Sequence, residues 1–193
     1  MSDQKKDKMK AKDIITVTLL SMCSVVIFIL LSFLYVVPIF IVGFPVVVSF
    51  LQGMVFMMIG IRVPKKGAIL LYSIISGIAG MNIIYFAGSV IIGVIGELIL
   101  AKTGYGKFGP LGITYVLMQI VNAFTSTVYP YVITFDSTKD MIAKTGADIS
   151  IYETANKMLT GAPVVILLVL TGIAALAGAL VGRKMMKKHL LSA

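Results

Sequence analysis

The stretch GAILLYSIISGIAGMNIIYFAGSVIIGVIGELILA, residues 67–101, decides the architecture: its 35 residues lie between Lys66 and Lys102 and hold a single charge, Glu97. If both lysines sit on the same side of a membrane, the stretch must cross it twice. Two helices of about 15 to 16 residues, with a turn near Tyr85–Gly88, would each rise only about 24 Å, short of a hydrocarbon core of roughly 30 Å. Helices this short thin the bilayer or leave an opening above them, so the expectation is a water-filled outer depression over spans three and four.

The rest of the chain follows the same logic. With 59% hydrophobic residues, 13% charged residues and a mean hydropathy of +1.02, a chain of 193 residues carries more apolar surface than one soluble core can bury. Its formal charge of +9 is divided among short clusters between apolar blocks. That is the pattern of positive cytoplasmic loops and not of a nucleic-acid stripe, so no nucleic acid is expected as a partner. The basic start MSDQKKDKMKAKD precedes an apolar run too long for a signal peptide and without a cleavage site. Cys23 lies in that run and is expected as a buried thiol.

The fold class expected is an all-α membrane protein of six transmembrane helices with both termini cytoplasmic, forming one domain over 1–193. The spans fall at about 14–37, 39–61, 67–84, 87–101, 111–133 and 161–182, with an outer loop over 134–160. In this layout 14 of the 17 Lys and Arg residues are inside, and only Lys139, Lys144 and Lys157 are outside. A bacterial plasma membrane is the expected location.

The outer loop is the only long polar segment between two apolar blocks, and such loops are more often functional than mere connectors. Within it Ser150–Leu159 reads as a short lid helix, with Ser150 as cap and Glu153 three residues on as its capping-box partner. On span five, Tyr115, Gln119, Asn122, Ser126 and Tyr129 follow one another at spacings of four, three, four and three, which places them on one helical face. Polar side chains in hydrocarbon turn toward protein or water, so this face points inward, either as interhelical glue or as the wall of a substrate cavity. Asn122, Ser126 and Tyr129 lie in the outer half and are the candidates for that wall. Asn82 and Tyr85, and the loop tyrosines Tyr131 and Tyr152, join them as substrate-binding candidates. Tyr35 reads as an interfacial anchor and Gln52 as a packing residue.

Small residues at four-residue spacing, Ala174, Gly178 and Gly182 in span six and Ser73 with Gly77 in span three, let helices approach closely. Thr18, Ser21 and Ser24 form a narrow face of span one that could serve a partner. No catalytic or metal-ligating constellation is present: the one histidine, His189, is in the terminal tail, and Glu97 is expected to reach toward the inner interface. An enzyme is therefore not expected. A self-sufficient secondary transporter and a membrane enzyme acting on lipid are the rival readings.

Four stretches together resemble one family. KMKAKDIITV from Lys8, GELILAKTGYGKFG from Gly96, ISIYETANKMLTGAPVVI from Ile149 and GALVGRKMMKKH from Gly178 are similar to the MptD-type or Trep_Strep proteins, and the last two stretches are the most specific. The resemblance implies a substrate-binding S component of an energy-coupling factor (ECF) importer. Such a subunit captures a vitamin, a cofactor or a tetrapyrrole-like molecule outside the cell. It then joins a transmembrane coupling protein and two cytoplasmic ATPases; ATP is used by those partners, and no cofactor is implied in this chain. S components usually present two alanines four apart on the first helix, whereas here Thr18 is followed at that spacing by Met22, and Ser21 by Val25. The tyrosine-rich, cation-poor outer half suits a flat or largely apolar ring system better than a polyphosphate. A haem, if bound, would lack a histidine ligand on that side.

Overall fold

The computed structural model describes residues 8–191, with side chains through Lys188; the side chain of His189 and the outermost parts of both termini lie beyond what is described. Among the described residues the chain is helical throughout. Helix α1 runs over Ala11–Ser32 and ends in a tight 3-10 turn, Phe33–Val36. Pro38 opens α2 (Pro38–Arg62), where its fixed φ and missing N–H suit the first helical position. The short α3 (Ala68–Ala79) and the long α4 (Ile83–Thr103) follow. Helix α5 (Phe108–Ala123) continues without a break as a π-helix over Phe124–Ile133. Two surface helices, α6 (Phe135–Ala143) and α7 (Ile149–Leu159), lead to α8 (Ala162–Leu191).

Five of these segments are long and apolar enough to cross a membrane: Ala11–Val36, Pro38–Arg62, Ile83–Thr103, Phe108–Ile133 and Ala162–Lys188. Helix α3, with 12 residues, is apolar but shorter. The expected pair of equal short helices in residues 67–101 is thus corrected. Asn82 caps α4, its Oδ1 accepting from the amides of Ile84 (2.8 Å) and Tyr85 (3.3 Å), so the turn falls at Gly80–Asn82 and α4 takes most of the length.

Glu97 explains where α3 begins. It does not reach for the interface; it is 8% exposed, and its Oε1 accepts from the first-turn amides of Ile69 (2.9 Å) and Leu70 (3.2 Å) while Oε2 accepts from the Tyr105 hydroxyl (3.0 Å). A carboxylate at the positive end of a helix satisfies amides that would otherwise be orphaned. The charge is therefore spent on structure.

The tightest packing joins α2 to α8. A Cβ built on Gly178 would lie 2.1 Å from the Phe50 carbonyl oxygen, and one on Gly53 would lie 2.7 Å from the Gly178 carbonyl carbon, so the two backbones touch where only glycine fits. Polar groups buried between the helices are tied across the same core. Tyr115 donates to the Ser49 carbonyl (2.5 Å), and Gln52 Nε2 donates to the Ser24 carbonyl (3.2 Å), consistent with a packing role for Gln52. The outward surface is apolar: Ile15, Leu19, Val26, Leu30 and Phe33 on α1 are each more than half exposed, as expected of a helix that meets lipid and not water. Cys23 is exposed on this outer surface and is not buried, contrary to expectation. Position in an apolar run could not tell a lipid-facing thiol from a core one.

The basic side chains Arg62, Lys65, Lys66, Lys102, Lys107 and Arg183 gather where α2, α4 and α8 end. There Lys65 pairs with Asp13 at 2.6 Å, and Arg183 lies over the Phe108 ring at 4.4 Å. Helices α6 and α7 lie at the opposite end, called the lid end below. If the glycine contact holds α2 to α8, Gly178→Val should cost about 1–3 kcal/mol by overpacking. Gly43→Ala, with nothing within 4 Å of the new methyl, should be neutral or slightly stabilising. Melting of the purified variants in one detergent checks this, and wild-type melting for Gly178→Val would contradict the packing.

Candidate functional site

The lid end holds a cavity of about 340 Å³, at the lower end of the range for small-molecule sites. Its wall comes from every part of that end. Phe28, Ser32 and Tyr35 descend from α1 and its 3-10 extension, and Gly80, Asn82 and Tyr85 come from the α3–α4 turn. The π-helix supplies Ser126, Pro130 and Tyr131, and the surface helices supply Thr138, Met141, Ile142 and Tyr152. None of these side chains carries a charge at neutral pH. The surface is one of aromatic rings, hydroxyls and a carboxamide.

Why these residues converge follows from local structure. Pro130 has no N–H to give to a helical ladder, and around it the chain takes the wider π turn, with the Thr134 amide bonded to the Tyr129 carbonyl at 2.9 Å, five residues back. In a π turn the residues four and five positions on share a face, so Pro130 and Tyr131, not Tyr129, stand beside Ser126. Tyr131 then stacks on Tyr152 of α7, ring centroids 6.1 Å apart at 17°. On the other side Phe28 lies 6.3 Å from Tyr85, and Tyr35 meets Phe44 edge-on at 4.8 Å.

Of the residues read from sequence, Asn82, Tyr85, Ser126, Tyr131 and Tyr152 are brought together in this wall. Asn122 is not in it. It is 6% exposed, accepts from Ser89 Oγ at 2.9 Å, and borders with Gln119 and Tyr85 a void of only about 10 Å³ below the cavity. Tyr129 is displaced too: the π register turns it to a neighbouring depression outside the wall. Tyr35, expected as an anchor, is a lining residue; Phe28 carried no usable signal because large apolar residues are common in every span, and Thr138, Met141 and Ile142 because they stand in the polar loop without a pattern of their own. The face of Thr18, Ser21 and Ser24 is also corrected. Ser21 and Ser24 are wholly buried against the bundle and Thr18 is half-buried, so this face looks inward.

The roof has a fixed and a light half. Helix α7 is anchored, with Ala155 and Leu159 fully buried in a cluster with Ile41, Val128 and Leu167, and with Asn156 Nδ2 donating to the Tyr131 carbonyl at 2.6 Å. Its cap differs from expectation: Asp148, not Ser150, holds the helix start by accepting from the Ser150 amide at 2.9 Å, and the Ser150 hydroxyl, together with this amide, holds its carboxyl below the ordinary value. Glu153 is thereby free for another role and pairs with Lys139 of α6. Helix α6 buries no residue of its own.

These features define a multi-pass membrane protein with a neutral, aromatic-lined cavity beneath a two-helix roof. The chain belongs to the Trep_Strep family of hypothetical bacterial integral membrane proteins, whose sequence profile matches residues 11–191. No curated protein and no solved structure matches it.

The Lys139–Glu153 pair gives the roof a pH dependence with a definite sign. The hydrogen bond from Lys139 holds the Glu153 carboxyl below its ordinary value, and the same bond raises Lys139. The tie is complete above the ordinary glutamate value, is lost as pH falls through the lowered one, and on the alkaline side is lost only as pH rises through the raised lysine value. A nitroxide at Asp140→Cys, in a Cys23→Ser background, should gain mobility as pH falls below the carboxylate range, and Glu153→Gln should show that mobility already at neutral pH. Equal, pH-independent mobility in both proteins would mean that the pair does not hold α6.

Proposed function

We propose that the protein is the substrate-binding S component of an ECF-type importer, a six-span subunit in which α3 is a short span, both termini are cytoplasmic and the lid end faces outward. The observation that carries the reading is the cavity itself. A site assembled from α1, the α3–α4 turn, the π-helix and the two roof helices offers a small molecule a concave, partly open pocket lined from several sides, as a capture subunit needs. The basic clusters at the other end support the orientation.

The energetics favour a subunit over a self-sufficient transporter. Proton-coupled carriers expose intramembrane carboxylates to a water path, whereas Glu97 is committed to the amides of α3 and to Tyr105. Energy for uphill transport then comes from partners, a transmembrane coupling protein and two ATPases that use ATP. If α1 meets the coupling protein, its outward face of Leu19, Met22 and Val26 is the surface available. The substrate class that fits the lining is an uncharged vitamin-, cofactor- or ring-like molecule. A phosphorylated one would find no cation in the wall.

Binding and transport should accordingly separate. Purified protein alone in nanodiscs should retain its ligand, while concentrative uptake into proteoliposomes should require the coupling protein, both ATPases and ATP hydrolysis. Full-rate uptake by the isolated protein driven by a proton gradient would overturn the assignment.

A further inference from the structure

The side of the cavity is built unlike its roof. Helices α2 and α3 leave the same turn at the basic end, yet α2 has 25 residues and α3 only 12, so α2 rises about 37 Å and α3 about 18 Å. Helix α4, however, returns from the same turn over 21 residues, a rise of about 31 Å, so the α3–α4 turn stops short of the outer end of α2 but near the outer edge of a hydrocarbon core of roughly 30 Å. The exposed side chains of the turn are apolar. Ile78 is 63% exposed, Ile83 75% and Met81 97%, and Met81 holds a left-handed φ of 50° that no glycine relieves. Across from the turn, Met141 of α6 is 62% exposed.

Between these two apolar lips runs a second depression of about 350 Å³, which shares Asn82, Pro130, Thr138 and Met141 with the wall of the cavity. The cavity and the lipid-facing surface are thus separated by one layer of side chains, with Asn82 at the threshold. Helix α6, none of whose residues is fully buried, forms the upper lip. The opposite side, toward α1 and α2, is closed by the aromatic contacts of Phe28, Tyr35 and Phe44.

We infer that the site is loaded sideways from the bilayer, between the α3–α4 turn and α6, and that its substrate is an uncharged amphiphile dissolved in the leaflet at the lid end, with a flat apolar body and a hydrogen-bonding group. This rests on the reading of the cavity as the substrate site. A solute taken from water needs no apolar lips, whereas one partitioned in lipid is drawn to exposed apolar side chains such as Met81 and Met141. The uncharged wall fits a molecule that can dissolve in hydrocarbon.

Pyrenemethanol, a neutral, flat, bilayer-soluble fluorophore with one hydroxyl, serves as the probe in proteoliposomes of the full chain. Met81→Cys with Met141→Cys, in the Cys23→Ser background, is joined by a reducible thiol crosslinker. Locking this pair should slow both loading and release of the probe by about tenfold or more with equilibrium binding little changed, and reduction should restore the rates. Joining Lys139→Cys to Glu153→Cys, where α6 and α7 already meet, should leave the rates near those of the open protein. Unimpeded loading through the locked 81–141 pair, with slowed loading through the locked 139–153 pair, would overturn the lateral route while leaving the cavity reading intact. If Tyr131→Ala does not weaken pyrenemethanol binding in the open protein, the cavity is not the site, and both readings fail together.

Discussion

Helices α3 and α4 turn back before the outer end of α2 is reached, and the cavity lies over their turn. Glu97 fixes the start of α3 by accepting from the Ile69 and Leu70 amides, and Asn82 fixes the start of the next helix by capping Ile84 and Tyr85. Between two such pins only 12 residues can be helical. The space above the turn cannot be left to lipid alone, because the backbone groups and tyrosines that border it need partners. It is filled from above by α6 and α7 and from the side by the π-helix. Removing the Glu97 pin would let α3 and α4 slide and would reshape the wall without touching a lining residue.

Hydrogen bonding within the protein also separates core from site. In the lower bundle several polar groups are tied helix to helix, Ser49 to the Thr171 carbonyl, Gln52 to the Ser24 carbonyl, Tyr115 to the Ser49 carbonyl and Ser89 to Asn122, while others, the Ser21, Ser24 and Ser76 hydroxyls among them, are buried without a hydrogen-bond partner among the described residues. At the lid end aromatic rings stack and meet edge-on around open volume. Polar residues at the same helical spacing therefore do different work at different depths. Position along the bundle axis is what divides them.

Much of this was legible in the chain, and the exceptions have identifiable causes. Spans one, two and six needed only length and apolarity, and the glycine spacing of α8 correctly signalled a close helix contact. Asn82, Tyr85, Ser126, Tyr131 and Tyr152 were readable as polar or aromatic residues near span ends. Tyr129 was misplaced because a period of 3.6 was carried through Pro130, where the chain changes to a π turn; the proline was the visible warning. Ser21 and Ser24 were misread because a small-polar stripe marks a helix contact without saying whether the other helix is in the same chain. The cap at Asp148 and the Lys139–Glu153 pair were hidden by a capping-box pattern that fits Ser150 and Glu153 equally well in sequence. Met141 and Ile142 could be placed only by the fold.

The account stands on the claim that this cavity holds an uncharged small molecule. Mass spectrometry of material extracted from the protein purified directly from membranes in nanodiscs, compared with a Tyr131→Ala, Tyr152→Ala variant of matched melting temperature, tests it most directly. The account predicts a neutral, ring-containing or otherwise largely apolar compound in near-stoichiometric amount from the wild type, and its loss from the variant. A phosphorylated or strongly charged ligand, or equal retention by both proteins, would contradict it.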